Sequence, residues 1–151
     1  MARLHSTIFT MAWVVIGGAS LPVSADPSGT AKIVQGAVRV ERDGAFLPLR
    51  VGDTLQEKDR VVVPAGGAAG ITLRDDTRIS LGSGATLVLE QFKFDPQTQE
   101  GVVETSILSG AMRYITGLVG RNRRDAVRVR TTTTTIGIRG TDFIVEVGDG
   151  P

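Results

Sequence analysis

The chain has 151 residues, with 17 Lys+Arg against 16 Asp+Glu, one histidine, one tryptophan and no cysteine. Without cysteine no disulfide can staple the fold, so one apolar core of ordinary size must suffice. Loss of an N-terminal leader would remove the only histidine, excluding Ser-His-Asp and Cys-His centres and the usual zinc, copper and iron sites.

The first twenty-five residues read as that leader. Arg3 supplies a positive n-region, Ile8 to Leu21 is a largely apolar run, and Val23-Ser24-Ala25 places small residues at −3 and −1 of a cleavage point. The run is shorter than the roughly 20 residues a spanning helix needs, and Gly17, Gly18 and Pro22 interrupt it. Cleavage is therefore expected, giving a periplasmic or secreted product, Asp26 to Pro151, with no transmembrane span. His5 and Trp13 leave with the leader, and sixteen bases then balance sixteen acids. One β domain over residues 26–151 is the expectation. No cofactor is called for, although oxygen-ligated Ca²⁺ or Mg²⁺ stays open.

From Thr30 to Val40 the pattern alternates, Asp43-Gly44 is a two-residue hairpin turn, and Phe46 to Leu49 returns. Pro48 cannot donate to a ladder, which marks the return strand as an edge or a short one. Next, Asp53 with Leu55 and Asp59 with Val61 repeat an x-D-x-[LV] pattern. Each aspartate is expected to cap a turn through backbone N–H groups while the apolar residue two positions on enters the core. Lys58 in the second turn implies a backbone with no need of positive φ. Asp53 and Asp59 as a glycosidase acid pair is the weaker reading, because chemistry needs convergence in a cleft.

The Gly-rich stretch Ala65 to Gly70 lacks the Gly-Lys-Ser/Thr end of a P-loop and leads into a strand, so a connector or tight corner is expected. Ile71 to Leu73 and Arg78 to Leu81 flank a tip, Arg74-Asp75-Asp76-Thr77, in which Asp76 tolerates the left-handed region. The adjacent carboxylates lack a calcium-loop pattern and read as turn chemistry. Ala85 to Phe94 forms a long strand whose apolar phase shifts between Leu89 and Phe92, so a bulge is expected near Glu90-Gln91. Asp95 to Gly101 is a polar hairpin loop, and the strands from Val102 to Leu108 and Gly110 to Gly117 follow. Nowhere after the leader does a helical period persist, so the fold class is all-β, a sandwich or a β-roll or solenoid of many short strands.

Charge concentrates near the C-terminus. Between Arg113 and Arg139 lie seven arginines and one acid, Asp125. Gly120 to Asp125 reads as a loop, and the alternation of Val127 to Arg130 turns Arg128 and Arg130 outward. Arg121, Arg123, Arg124, Arg128 and Arg130 are the candidate contacts for an anionic partner: a surface polymer, a lipid head group or an acidic protein face. Nucleic acid is not expected, since only Tyr114 supplies an aromatic in the cluster. The bland alternative is a charged edge that resists edge-to-edge pairing, with cross-strand acids absorbing part of the excess.

The last stretch, Thr131 to Val147, opens with five threonines, which favour a strand. Ile136 and Ile138 then share a face, as do Phe143, Val145 and Val147, with a kink between Gly137 and Gly140. Thr133, Thr135, Gly137, Arg139, Gly140, Thr141, Phe143 and Val145 closely resemble the signature ending a FecR domain, T-P-T followed by G-x-R-G-T-x-F-x-V, with Thr134 in the proline's place. Gly52, Asp53, Leu55, Asp59 and Val61 resemble its G-D-x-L-x-x-G-D-x-V opening, and the Asp75 turn its D-G-[ST] tip. The resemblance implies a β-rich domain of the bacterial envelope in which these residues are structural. Members that carry a membrane span and a cytoplasmic segment signal from an outer-membrane receptor to a sigma factor. Here the only apolar run is read as a leader, so an exported, stand-alone module is expected and sigma-factor regulation is not carried over. Its expected role is non-catalytic binding of an envelope protein or an anionic surface polymer, in signal sensing or contact. The alternatives are a carboxylate-based hydrolase of envelope glycans, using Asp53, Asp59, Asp75 or Asp76, and a β-edge assembly subunit.

Overall fold

A computed structural model describes residues 26–138 and 141–148. The leader, and the Arg139-Gly140 part of the C-terminal signature, lie outside the described residues. In chain order the elements are β1 (Gly29–Gln35), β2 (Arg39–Arg42), β3 (Ala45–Pro48), β4 (Thr54–Leu55), β5 (Arg60–Val62) and β6 (Ala68–Leu73). There follow β7 (Arg78–Leu81), β8 (Thr86–Phe94), β9 (Gly101–Ile115), α1 (Leu118–Asn122), a 3₁₀ turn (Arg124–Ala126), β10 (Val127–Arg130), β11 (Thr135–Gly137) and β12 (Asp142–Val147). The all-β class read from the alternation is the one observed.

Everything is arranged around β9, which is long enough to belong to both halves of one curled sheet. Its first part pairs with β8 on one side and with β10 on the other. Its last part pairs with β7 and β12. One half therefore runs β3-β2-β5-β8-β9-β10-β11 and the other β4-β1-β6-β7-β9-β12. Among the described residues only the β9–β10 pair is parallel. The crossover point is Gly110, at φ 74°, where a Cβ would stand 2.6 Å from Ala85 Cα. No side chain fits there, and only glycine adopts that φ without strain.

The two halves close on a single core. Ala31, Ile71 and Ile79 come to it from one side, and Val40, Val61 and Leu87 from the other. Each buried valine, leucine or isoleucine contributes about 1.5–3 kcal/mol by leaving water, which is how a chain without disulfides holds together. Period-two burial is visible in β7, where Ile79 and Leu81 are buried and Arg78 and Ser80 exposed. In β8 the register slips between Leu89 and Gln91, so Leu87, Leu89 and Phe92 all reach the core. Pro48 closes β3, an edge strand paired with β2 alone among the described residues.

Three local expectations are corrected. Lys58 does adopt a positive φ, 70°. Its N–H donates to Leu89 O at 2.7 Å, and the turn it occupies is held by Asp59 whatever the residue type. Thr131 to Thr134 form a turn instead of a strand: Thr131 Oγ1 accepts the N–H of Thr134 at 3.0 Å and of Thr133 at 3.3 Å, a local bond that outweighs β propensity. Finally, the stretch read as a loop begins as α1, followed by the 3₁₀ turn. Both are too short to leave a helical period in the sequence.

Candidate functional site: the arginine face

The connection from β9 to β10 is fastened from below by a buried turn. Asp75 is fully buried, and its Oδ1 and Oδ2 accept from Thr77 N at 3.1 Å and Thr77 Oγ1 at 2.8 Å. Its backbone oxygen accepts from Leu118 N at 2.7 Å, and Thr77 Oγ1 accepts from Gly117 N at 3.1 Å. The β6–β7 hairpin thus fixes where α1 starts. Burial raises the Asp75 carboxyl above the ordinary carboxylate range, while its bonds from Thr77 work in the opposite direction.

Tyr114 lies beside this turn, fully buried and stacked on Phe143 of β12 with ring centroids 5.2 Å apart. Among the described residues its hydroxyl meets no partner at hydrogen-bond geometry; the Thr77 hydroxyl beside it bonds Asp75 and Gly117. Burial pushes its ionisation well above the ordinary value. A raised phenol pKa gives stability that is complete below about pH 10 and is lost as pH climbs towards the folded-state value. Tyr114 is the only tyrosine, so tyrosinate absorbance is a clean reporter. The folded protein should show none at pH 11, and the signal should rise together with unfolding. Tyrosinate that appears while the circular dichroism is still native would contradict the placement of this ring.

Above the turn, Arg121, Arg123 and Arg124 are exposed on α1 and the connector. Arg123 donates to Asp125 at 3.0 Å, and that bond holds the Asp125 carboxyl below its usual range. In β10, Val127 and Val129 are buried while Arg128 and Arg130 face solvent. Both of these arginines donate to one carboxylate, Glu104 of β9, at 3.1 and 3.2 Å. Arg121 and Arg124 have no ion-pair partner among the described residues. Three of the five guanidiniums therefore pair with two carboxylates, and Glu100 lies near enough to act on Arg123.

An open hollow of about 600 Å³ lies at the end of the β10–β11 ribbon, lined by Arg124, Asp125, Arg128 and Thr135 together with Val127 and Ile138. A second, of about 300 Å³, is lined by Arg123, Asp125, Arg128 and Glu104 among others. The fold brings Arg123, Arg124 and Arg128 together around Asp125, and Arg130 joins them through Glu104. Arg121 lines neither hollow. Glu104 was absent from the sequence reading, since nothing in the local pattern announces a parallel pairing of β10 with β9.

The remaining signature residues shape the backbone. Gly52 is at φ 94°, and its N–H donates to Ala31 O at 2.8 Å. Asp53 accepts from Arg50 N at 2.8 Å, and Leu55 and Val61 are buried. Asp59 accepts from Gln56 N at 2.8 Å and from Arg42 through both oxygens. Gly137 sits in β11 with open space at its Cβ position. Thr141 O accepts from Thr116 N at 2.8 Å. Among the described residues no group of three or more His, Cys, Asp or Glu is placed to hold a metal ion, and no helix is long and apolar enough to cross a membrane.

Neither a curated protein nor a solved structure matches the chain. The family described as FecR protein matches residues 59–151, from the second aspartate turn through β12, whereas the hairpins before it supply strands to both halves of the sheet. With that match over more than half its length, the chain belongs to the FecR protein family.

Proposed function

We propose that this protein is an exported, non-catalytic interaction module of the bacterial envelope, whose contact surface is the arginine face around Arg123, Arg124 and Arg128. The excess of guanidiniums over carboxylates beside an open hollow carries this reading. Family membership supports a sensing or interaction role in general. Two of the four carboxylates offered for a hydrolase are tied into the fold: Asp59 by Arg42 and Gln56, and Asp75 by Thr77. Exposed guanidiniums attract anions over roughly a Debye length, about 8 Å at physiological salt, so binding through this face should weaken as salt rises.

The test is capture from envelope extract by the protein and by an Arg121→Ser/Arg123→Ser/Arg124→Ser variant of unchanged circular dichroism. A partner held by the parent should fall about tenfold or more with the variant, in line with the loss of three charge-assisted bonds at exposed sites. Retention of every captured partner by the variant would remove the arginine face from the proposal. Turnover of an envelope glycan by the purified protein would remove the non-catalytic reading.

A further inference from the structure

Arg128 and Arg130 project from the side of the ribbon on which their β11 neighbours are Gly137 and Thr135. Neither neighbour is large enough to cover a guanidinium, and a Cβ at Gly137 would meet no atom of the described residues within 4 Å. The two arginine side chains remain 55% and 46% exposed even though both reach Glu104. One carboxylate cannot neutralise two guanidiniums, so a positive charge is left over, and Arg124, which lines the same hollow as Arg128, adds another. β11 is also the last strand of its half, paired with β10 alone among the described residues. Its outer row of backbone N–H and C=O groups is therefore a template for another strand.

We propose that β11 receives an extended acidic segment of a partner protein as an added strand, with carboxylates at alternate positions drawn to Arg124, Arg128 and Arg130. This rests on the interaction reading above and narrows the partner to a protein strand, as against a polysaccharide or a lipid surface. Neighbouring strands lie about 4.8 Å apart. A carboxylate on the added strand then stands two spacings from β10, with only Gly137 or Thr135 between, within reach of an extended arginine side chain. Because strand side chains alternate, acids at i and i+2 both meet the arginines. The residues between them turn to the face of half-buried Ile136, where apolar types suit. Backbone bonds supply affinity in such strand addition, and the charges select the sequence and its register.

The probe is a fluorescein-labelled seven-residue peptide alternating valine and glutamate, followed by anisotropy. Alongside it run a valine–lysine version and two glutamate versions N-methylated at either odd or even positions. The glutamate peptide should bind and the lysine peptide should not. One N-methylated set should lose at least about tenfold in affinity while the other binds as the parent, because only one edge of an added strand bonds to β11. Gly137→Glu, which the open space at that position admits, should weaken the peptide similarly by supplying an internal carboxylate to Arg128. Equal effects of the two methylation patterns, or equal binding of the lysine peptide, would overturn strand addition. Binding of poly-glutamate or a sulfated polysaccharide, with no binding of the short peptide, would also overturn it while leaving the arginine face as an anion-binding surface. Binding of none of these probes would overturn both.

Discussion

Replacing Asp59 by alanine is expected to lower the unfolding free energy by about 3 kcal/mol. The carboxylate is almost wholly buried, at 1% side-chain exposure, whereas Arg42 keeps 28%. Arg42 grips it in a two-pronged bond, Nε to Oδ1 at 2.8 Å and Nη2 to Oδ2 at 2.7 Å, and the same guanidinium reaches Thr54 O at 3.1 Å. Gln56 N adds a third bond to the carboxylate, at 2.8 Å. The group thus ties β2 to the turn that separates β4 from β5. Alanine leaves a half-buried guanidinium and a backbone N–H without their acceptor, and losing one partner of a buried pair costs more than the pair itself contributes. The partial exposure of Arg42 keeps the figure at the lower end of that range. Asp59→Asn retains size and one acceptor and should lose roughly half as much. Urea unfolding followed by circular dichroism at neutral pH checks this, with the slope unchanged. A loss below about 1 kcal/mol for the alanine variant would show that the bond is no more than a surface ion pair in its effect.

Gly117→Ala is expected to cost about as much, roughly 3 kcal/mol, for a different reason. A Cβ there would collide with the Asp75 carbonyl oxygen and the Thr77 nitrogen, and would stand 2.7 Å from Thr77 Oγ1. Two of these three are backbone atoms that no rotamer change can move. Relief requires α1 to lift from the β6–β7 hairpin, breaking Leu118 N to Asp75 O and Gly117 N to Thr77 Oγ1. The melting temperature should fall by about 10 °C, and amide exchange should accelerate first at Leu118 and then along the arginine connector. Gly137→Ala is the internal control: with open space at its Cβ it should stay within about 0.5 kcal/mol of the parent. Equal stability of the two alanine variants would mean that the collision is relieved without lifting α1, since exchanging glycine for alanine otherwise only restricts the unfolded chain and stabilises. A further consequence is that Gly117→Ala should weaken any ligand of the arginine face without altering a single charge.

Much of the architecture was legible because it depends on short-range patterns. Period-two alternation in Arg78 to Leu81 and in Val127 to Arg130 leaves only one way to bury the valines, isoleucine and leucine, and the charged partners must then face water. The phase shift after Leu89 required a slip in register, which the β8–β9 pairing shows. The threonine run misled, since strand preference and the capacity of a threonine hydroxyl to hold a turn reside in the same side chain. At Thr131 the second prevails. The Lys58 turn misled because a left-handed backbone is costly for lysine without being forbidden, and the bonds made by Asp59 and Leu89 hold it there.

By itself the sequence determined the all-β class, the aspartate turns, the outward row of Arg128 and Arg130 and the membership that the C-terminal signature carries. Only the tertiary structure decided which acids those arginines meet and what supports them. Arg128 meets Glu104 across 24 residues, and Gly117 meets Thr77 across 40. Such contacts depend on which strands become neighbours around β9. That choice is made by the packing of two apolar faces over the whole chain, so no local run of residues contains it.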